Sequence, residues 1–305
     1  MFLRLVAQVF VLILLNMPLA VSQIVKDEAI MIRVEKDVKI QDYFEHVKEL
    51  TDVYLSSFPD EIREHLLVHS NPWILERLVR TDYYIRAEEG KFIADQKNMV
   101  ILEKGDEIQL PDSGSLNRIQ QELATLAIDI NIPEYKLRIF RDRLLLWEFP
   151  VRVGRNSKAY LAAIDRNADL RTLTGEGQIV KIFKDPPFIN PVTNKRYHET
   201  MRDDGKVTAM PLIPWLETEI NGRRNGQLIH PTTNPITLGK AYSNGCIGTG
   251  EKEAWIIYYH APVGTLVRIR YDLNVKNVEG DSIRLPDIYQ RSNPRSREDL
   301  DHIQL

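Results

Sequence analysis

From Ile40 onward the apolar residues fall at Ile40, Phe44, Val47, Leu50 and Tyr54, spacings of three and four that predict an amphipathic helix. Asn71-Pro72 reads as an N-cap followed by proline at the first helical position, with Trp73, Leu75, Leu78 and Val79 as the apolar positions of a second helix. The stretch 40–80 is therefore expected to be helical. Between Phe92 and Leu110 the pattern changes to short apolar runs such as Met99-Val100-Ile101-Leu102, with a turn at Lys104-Gly105-Asp106. Pro111 to Ser115, rich in turn formers, reads as a linker. Beyond it Leu126, Ile128, Ile130 and Ile132 alternate with other residues, and Leu137 to Phe140, a polar turn at Arg141 to Arg143, and Leu144 to Val153 form a predicted hairpin. Further strands are expected at 159–164, 178–183, 227–230 and 266–271, separated by Gly, Pro and Asn clusters. This spacing suits a sandwich or barrel better than alternating β-α units. A helix is expected at 251–260, and the polar composition from Gln290 to Leu305 reads as a loose tail. The expected fold is a mainly β domain of sandwich or barrel form with a smaller helical α+β N-terminal region. Its divisions are 1–22 as a leader, 23–111 as the N-terminal helical or mixed region of unassigned role, 112–124 as a linker, 125–271 as the β domain, and 272–305 as a partly disordered C-terminal extension.

Leu5 to Leu15 is apolar apart from Gln8, follows Arg4, and leads to Pro18 and the small residues of Ala20-Val21-Ser22. That is the pattern of a cleaved secretory signal, or of an uncleaved anchor, although the apolar run is shorter than the roughly 20 residues of a membrane-spanning helix. The remainder has the balance of a globular chain, with 43% hydrophobic and 27% charged residues. Its 40 basic and 43 acidic side chains leave a net charge of -3 with no clustered basic stripe, which argues against a nucleic-acid partner. One cysteine among 305 residues excludes an internal disulfide and a Cys-rich zinc site. A lone thiol in an exported chain is open to oxidation, so a chain that keeps one is a candidate for using it.

Four of the 15 glycines lie between Gly239 and Gly250, around Ser243-Asn244-Gly245-Cys246-Ile247-Gly248. A helix beginning near Glu251 could stabilise a thiolate through its dipole, and the N–H groups of Gly245 and Cys246 are candidates for an oxyanion hole. A thiol nucleophile needs a base, and His230, sixteen positions upstream at the end of a predicted strand and followed by Pro231-Thr232-Thr233-Asn234-Pro235, could return beside it. His65 and His69, four apart, read as one face of a helix rather than a metal site. Val100 to Pro111 resembles the closing part of a LysM glycan-binding module, without its opening half, and reads either as a wall-binding element or as a structural cap on the β domain.

Met210-Pro211, the strand ending in Ile229-His230, Gly239 and Ser243-x-Gly245-Cys246-Ile247 occur in one order, and together they resemble the L,D-transpeptidase (YkuD) family. The hairpin 127–154, Thr172-Leu173-Thr174-Gly175-Glu176-Gly177 and Pro262 to Ile269 extend the resemblance over roughly 125–271, about half the chain. The resemblance implies that 125–271 is a catalytic domain with Cys246 as nucleophile, His230 as general base and the carbonyl of Pro231 orienting the imidazole. Gly245, Ser243, Asn244, Tyr242 and Met210 would line the oxyanion and substrate site. Family members are bacterial envelope or periplasmic enzymes of cell-wall biogenesis and cell shape. They attack a peptidoglycan stem tetrapeptide at its third residue, release D-alanine and pass the acyl group to an amine, giving a 3-3 cross-link or attachment to an envelope protein. Carbapenem-type β-lactams would be inhibitors, and no metal or organic cofactor is implied. With water as acceptor the same scaffold would be an L,D-carboxypeptidase or amide hydrolase. Two departures stand out. Asn244 occupies the usual His position, and Gly248 the usual Arg or Asn position two residues after the cysteine. Glycine cannot pair with a substrate carboxylate as arginine can, so either another cation such as Lys240, Arg196 or Arg224 replaces it or the substrate differs. If the departures reflect lost activity, the chain would be a noncatalytic cell-wall-binding protein.

Overall fold

The computed structural model describes residues 30–277 and 279–291, so the expected signal segment 1–22 and the tail from 292 lie outside the described residues. The helical N-terminal region comprises α1 (Ile40–Tyr54), α2 (Asp60–Ser70), α3 (Pro72–Val79) and α4 (Tyr83–Glu88). Ile40, Tyr43, Val47 and Thr51 form the buried face of α1, as the three-and-four spacing requires. Pro72 opens α3, but the Asn71 side chain does not cap it. The Asn71 amide instead accepts from Gln109 N–H at 2.8 Å and donates to Leu67 O and Gln109 O, tying the helices to the strand Glu107–Gln109. That strand pairs with Met31–Arg33, and Val100–Leu102 pairs with Val38–Lys39. The expected linker 112–124 is corrected. Residues Ser113–Ala124 form α5, with Asp112 as its N-cap accepting from Ser115 N–H at 2.7 Å, and Ile119 and Leu123 buried.

The β domain is built on one eight-stranded sheet. Its strands are β1 (Leu126–Asn131), β2 (Lys136–Arg141), β3 (Leu144–Pro150), β4 (Gly175–Phe183), β5 (Trp215–Ile220), β6 (Arg223–Pro231), β7 (Ile247–Thr249) and β8 (Leu266–Arg270), in the spatial order β7-β6-β5-β4-β8-β1-β2-β3. The β7–β6 and β8–β1 pairs are parallel and the others antiparallel. The two ends of this order meet. Arg152, just past β3, exchanges both backbone hydrogen bonds with Gly248 of β7, at 2.9 and 3.0 Å, so the sheet closes into a barrel. The turn at Asp142 and Arg143 takes positive φ at both residues, the geometry that lets a tight hairpin follow strand twist.

Helix α6 (Glu251–His260) follows β7 and is apolar nearly all round, with Ala254, Trp255, Ile257, Tyr258 and Tyr259 buried. It is sandwiched between α2 and α3 on one side and β6 on the other, so N-terminal region and barrel share one continuous core. Buried polar ties reinforce this. Tyr43 and Tyr259 share a hydrogen bond at 2.7 Å, Tyr259 donates to Glu64 at 2.7 Å, and His69 Nε2 lies 2.7 Å from Tyr259 O. At the other end of α6, buried Glu251 pairs with Arg202 and accepts from Tyr83 N–H and Gln96.

Gly177 of β4 lies against β5 so closely that a Cβ there would collide with the carbonyl oxygen of Glu219 and sit 2.7 Å from its carbon. Gly177→Ala is expected to lower stability by about 3 kcal/mol, a drop of roughly 6–12 °C in melting temperature followed by circular dichroism. An unchanged midpoint would mean that β5 yields without cost.

Candidate active site

Alternation along β6 buries Gln227, Ile229 and Pro231 and turns Leu228 and His230 to the opposite, more open face. The parallel register sets Ile229 against Ile247, both buried, and His230 against Gly248. Cys246 is the bend residue just before β7, and continuing the strand's alternation one position back puts it on the side of His230, about 6–7 Å along the sheet from Gly248 in backbone terms. Both side chains are half-buried.

His230 Nδ1 lies 2.8 Å from Pro231 O. A carbonyl can only accept, so Nδ1 carries the proton and Nε2 is left with its lone pair. The ring also packs on Trp215, with centroids 5.0 Å apart, and Phe188 meets Trp215 edge-on at 5.5 Å. Burial, helped by the nearby Arg152 cation and opposed by the Pro231 carbonyl, brings the His230 pKa down to about 4. Burial pushes the Cys246 thiol up, against a backbone hydrogen bond from Leu228 and the Arg152 charge. At neutral pH the resting pair is thus a neutral thiol and a neutral imidazole, so a nucleophilic role for the thiol would require proton transfer to the ring.

The expected link between the thiol and the dipole of α6 does not form. Strand β7 intervenes, placing Cys246 roughly 13 Å of extended chain before the helix begins. The loop is organised by Ser243, whose hydroxyl donates to Cys246 O at 2.6 Å and accepts from Gly245 N–H at 3.2 Å. Gly245 takes φ +112°, open to glycine and strained for other residues. Its N–H is engaged by Ser243 and would have to be shared with an oxyanion, which leaves the Cys246 amide as the better candidate donor. Asn244 is half-buried with its Oδ1 unpaired among the described residues, Tyr242 is exposed, and Met210 is buried, its N–H donating to His198 O at 2.8 Å.

The cation at the Gly248 position is Arg152, which sequence reasoning missed. Its side chain runs directly over Gly248, where a Cβ would fall 2.6 Å from Arg152 Cγ and 2.9 Å from Cδ. The proposed substitutes lie elsewhere in role or exposure: Lys240 and Arg196 are exposed, and Arg224 pairs with Glu217 at 2.6 Å. A second missed contributor is Tyr289, a buried residue in the otherwise largely exposed C-terminal extension. Tyr289 is 1% exposed; its hydroxyl donates to Gly154 O at 2.6 Å and accepts from Thr172 N–H at 3.1 Å. Thr172 in turn accepts from Gly154 N–H and donates to Gly245 O at 2.9 Å, one residue from the thiol. Tyr289→Phe strands two buried backbone groups, and a loss of about 1–3 kcal/mol in denaturant unfolding is expected; a loss below about 0.5 kcal/mol would show the contact to be idle.

An apolar groove of about 500 Å³ lies away from this site, lined by Val68, Leu75, Val79, Trp147, Ile256 and His260, and contains no nucleophile.

A comparison with curated proteins gives no match. Among solved structures, an L,D-transpeptidase from Mycobacterium tuberculosis is similar at 15% identity over 48% of this chain and 57% of its own, with a TM-score of 0.33. L,D-transpeptidase 3 from Mycobacterium tuberculosis, in complex with a faropenem-derived adduct, is similar at 14% identity over 48% and 60%, with a TM-score of 0.32. An L,D-transpeptidase from Xylanimonas cellulosilytica is 11% identical over 78% and 97%, with a TM-score of 0.35. The chain thus spans little more than half the length of the mycobacterial enzymes. The YkuD family model, described as the L,D-transpeptidase catalytic domain, matches residues 125–269, the barrel strands together with the Cys246 loop and α6. Residues 125–269 belong to the YkuD family of L,D-transpeptidase catalytic domains.

Proposed function

We propose that the chain is a cysteine-dependent peptidoglycan L,D-transpeptidase of the bacterial envelope or periplasm. The observation that supports the reading is the β6–β7 register, which sets His230 against Gly248, two positions after Cys246, with the His230 Nδ1 proton held by Pro231 O. His230 Nε2 takes the thiol proton as Sγ attacks the carbonyl carbon of the third residue of a stem tetrapeptide. The Cys246 amide, with Gly245, holds the oxyanion. On collapse the C–N bond breaks, the imidazolium gives its proton to the departing D-alanine amine, and a thioester remains. An acceptor amine on a neighbouring stem or an envelope protein then attacks. Its proton passes to His230 and from there to the departing thiolate, which restores the resting pair.

Intact mass after mixing the protein with a tetrapeptide stem, or with a carbapenem, tests this reading. An adduct that maps to the peptide containing Cys246 is expected. Failure of freshly reduced protein to form one would leave a noncatalytic wall-binding role. Product analysis with and without added amine separates cross-linking from hydrolysis: a tripeptide as sole product would assign water as the acceptor.

A further inference from the structure

Among the described residues, Arg152 has no anionic partner. Its Nε is buried and unpaired, Nη1 reaches Thr237 Oγ1 only at 3.5 Å, and no carboxylate among the described residues lies within ion-pair distance. Neighbouring arginines differ: Arg171 pairs with Asp169, Arg202 with Glu251 and Arg224 with Glu217. A partly desolvated guanidinium without a counter-charge is unfavourable, and a protein tolerates it where a ligand supplies the charge. The surroundings hold it in place. The backbone of Arg152 is fixed by both hydrogen bonds to Gly248, and its side chain occupies the space that glycine leaves. It therefore crosses the open face toward Cys246 and His230, both of which feel its charge, with Tyr197 and Tyr242 also near. Burial itself works against the charge on Arg152.

We infer that Arg152, reaching across Gly248 from the far side of the barrel seam, binds a carboxylate of the acyl-donor peptide and makes this site selective for anionic donors. The inference rests on the transpeptidase reading of the same site and adds its recognition element. A guanidinium edge presents two parallel N–H groups to a carboxylate, which an ammonium cannot do. The glycine two residues after the cysteine is then a requirement of the arrangement, because any side chain there would displace the arginine.

The test uses the full chain carrying Cys246→Ala, so that binding is read without turnover, and calorimetric titration of three synthetic tetrapeptide stems. One has all carboxylates free, one has its C-terminal carboxylate amidated and one has its internal carboxylates amidated. The free peptide is expected to bind roughly 10- to 100-fold more tightly than one of the two amides, and which amide loses identifies the carboxylate. Adding Arg152→Gln, which still covers Gly248, should remove that preference, and Arg152→Lys should restore only part of it. A preference that is absent in the parent, or unchanged in both Arg152 variants, overturns the assignment. Adduct formation on Cys246 is measured separately. An adduct with an unchanged preference sinks the Arg152 role alone, whereas a lost preference without any adduct sinks the cysteine mechanism alone.

Discussion

Replacing Cys246 with alanine is expected to abolish the covalent adduct and to lower turnover of a tetrapeptide donor by at least about 10⁴-fold, with the fold intact. The two hydroxyls bonded to the loop cannot take over. Ser243 donates to Cys246 O and Thr172 to Gly245 O, so each is committed to holding the loop. The thiol is half-buried and its removal leaves little cavity, so the melting temperature should move by only a few degrees. Intact mass and a coupled assay of released D-alanine would check this. An adduct on the alanine variant would place the nucleophile elsewhere.

His230→Gln is expected to lower kcat/KM by about 10²- to 10⁴-fold and to change its pH dependence. In the wild-type protein the imidazole must be neutral to accept the thiol proton. With its pKa lowered to about 4 by burial, activity should persist through pH 6 and fall only as pH drops toward 4. A free histidine would have given a limb near 6.5. Without the imidazole, reaction depends on the thiolate already present. Because burial pushes the thiol up, the variant's rate should climb tenfold per pH unit across the neutral range. Profiles of both proteins between pH 3.5 and 9 decide the matter, and a limb near 6.5 that survives in the variant would exclude His230 as the base. The same depressed pKa bears on stability. The unfolded chain binds a proton near pH 6.5 that the folded site takes only near 4, so His230's contribution is present above 6.5 and is lost as pH falls through 4. Circular dichroism at the acid end must therefore accompany the rates.

The helix 251–260 and the 136–150 hairpin were legible because each depends on local pattern. Helix α5 was not: Pro111-Asp112-Ser113-Gly114-Ser115 carries the residues of a turn, and only the Asp112 bond to Ser115 reveals them as a helix start. Strand β5 was also hidden, because Trp215-Leu216-Glu217-Thr218-Glu219-Ile220 places a glutamate inside, where Arg224 on the next strand pairs with it. Arg152 lies 94 positions before Cys246 in sequence, and nothing local marks it. Its role exists only once the barrel closes and brings the end of β3 beside β7. Tyr289 was missed for the same reason: its partners Gly154 and Thr172 lie more than 100 positions upstream.

The placement of α6 bears on how the chain can be dissected. The family's segment begins at 125, yet Trp255, Tyr258 and Tyr259 inside that segment are covered by side chains from the N-terminal helices, including Phe44, Tyr43 and His65. A fragment trimmed to the homologous boundary would present this aromatic surface to water and invite aggregation. The unit of descent and the unit of folding differ here, and the second includes the helices α1 and α2.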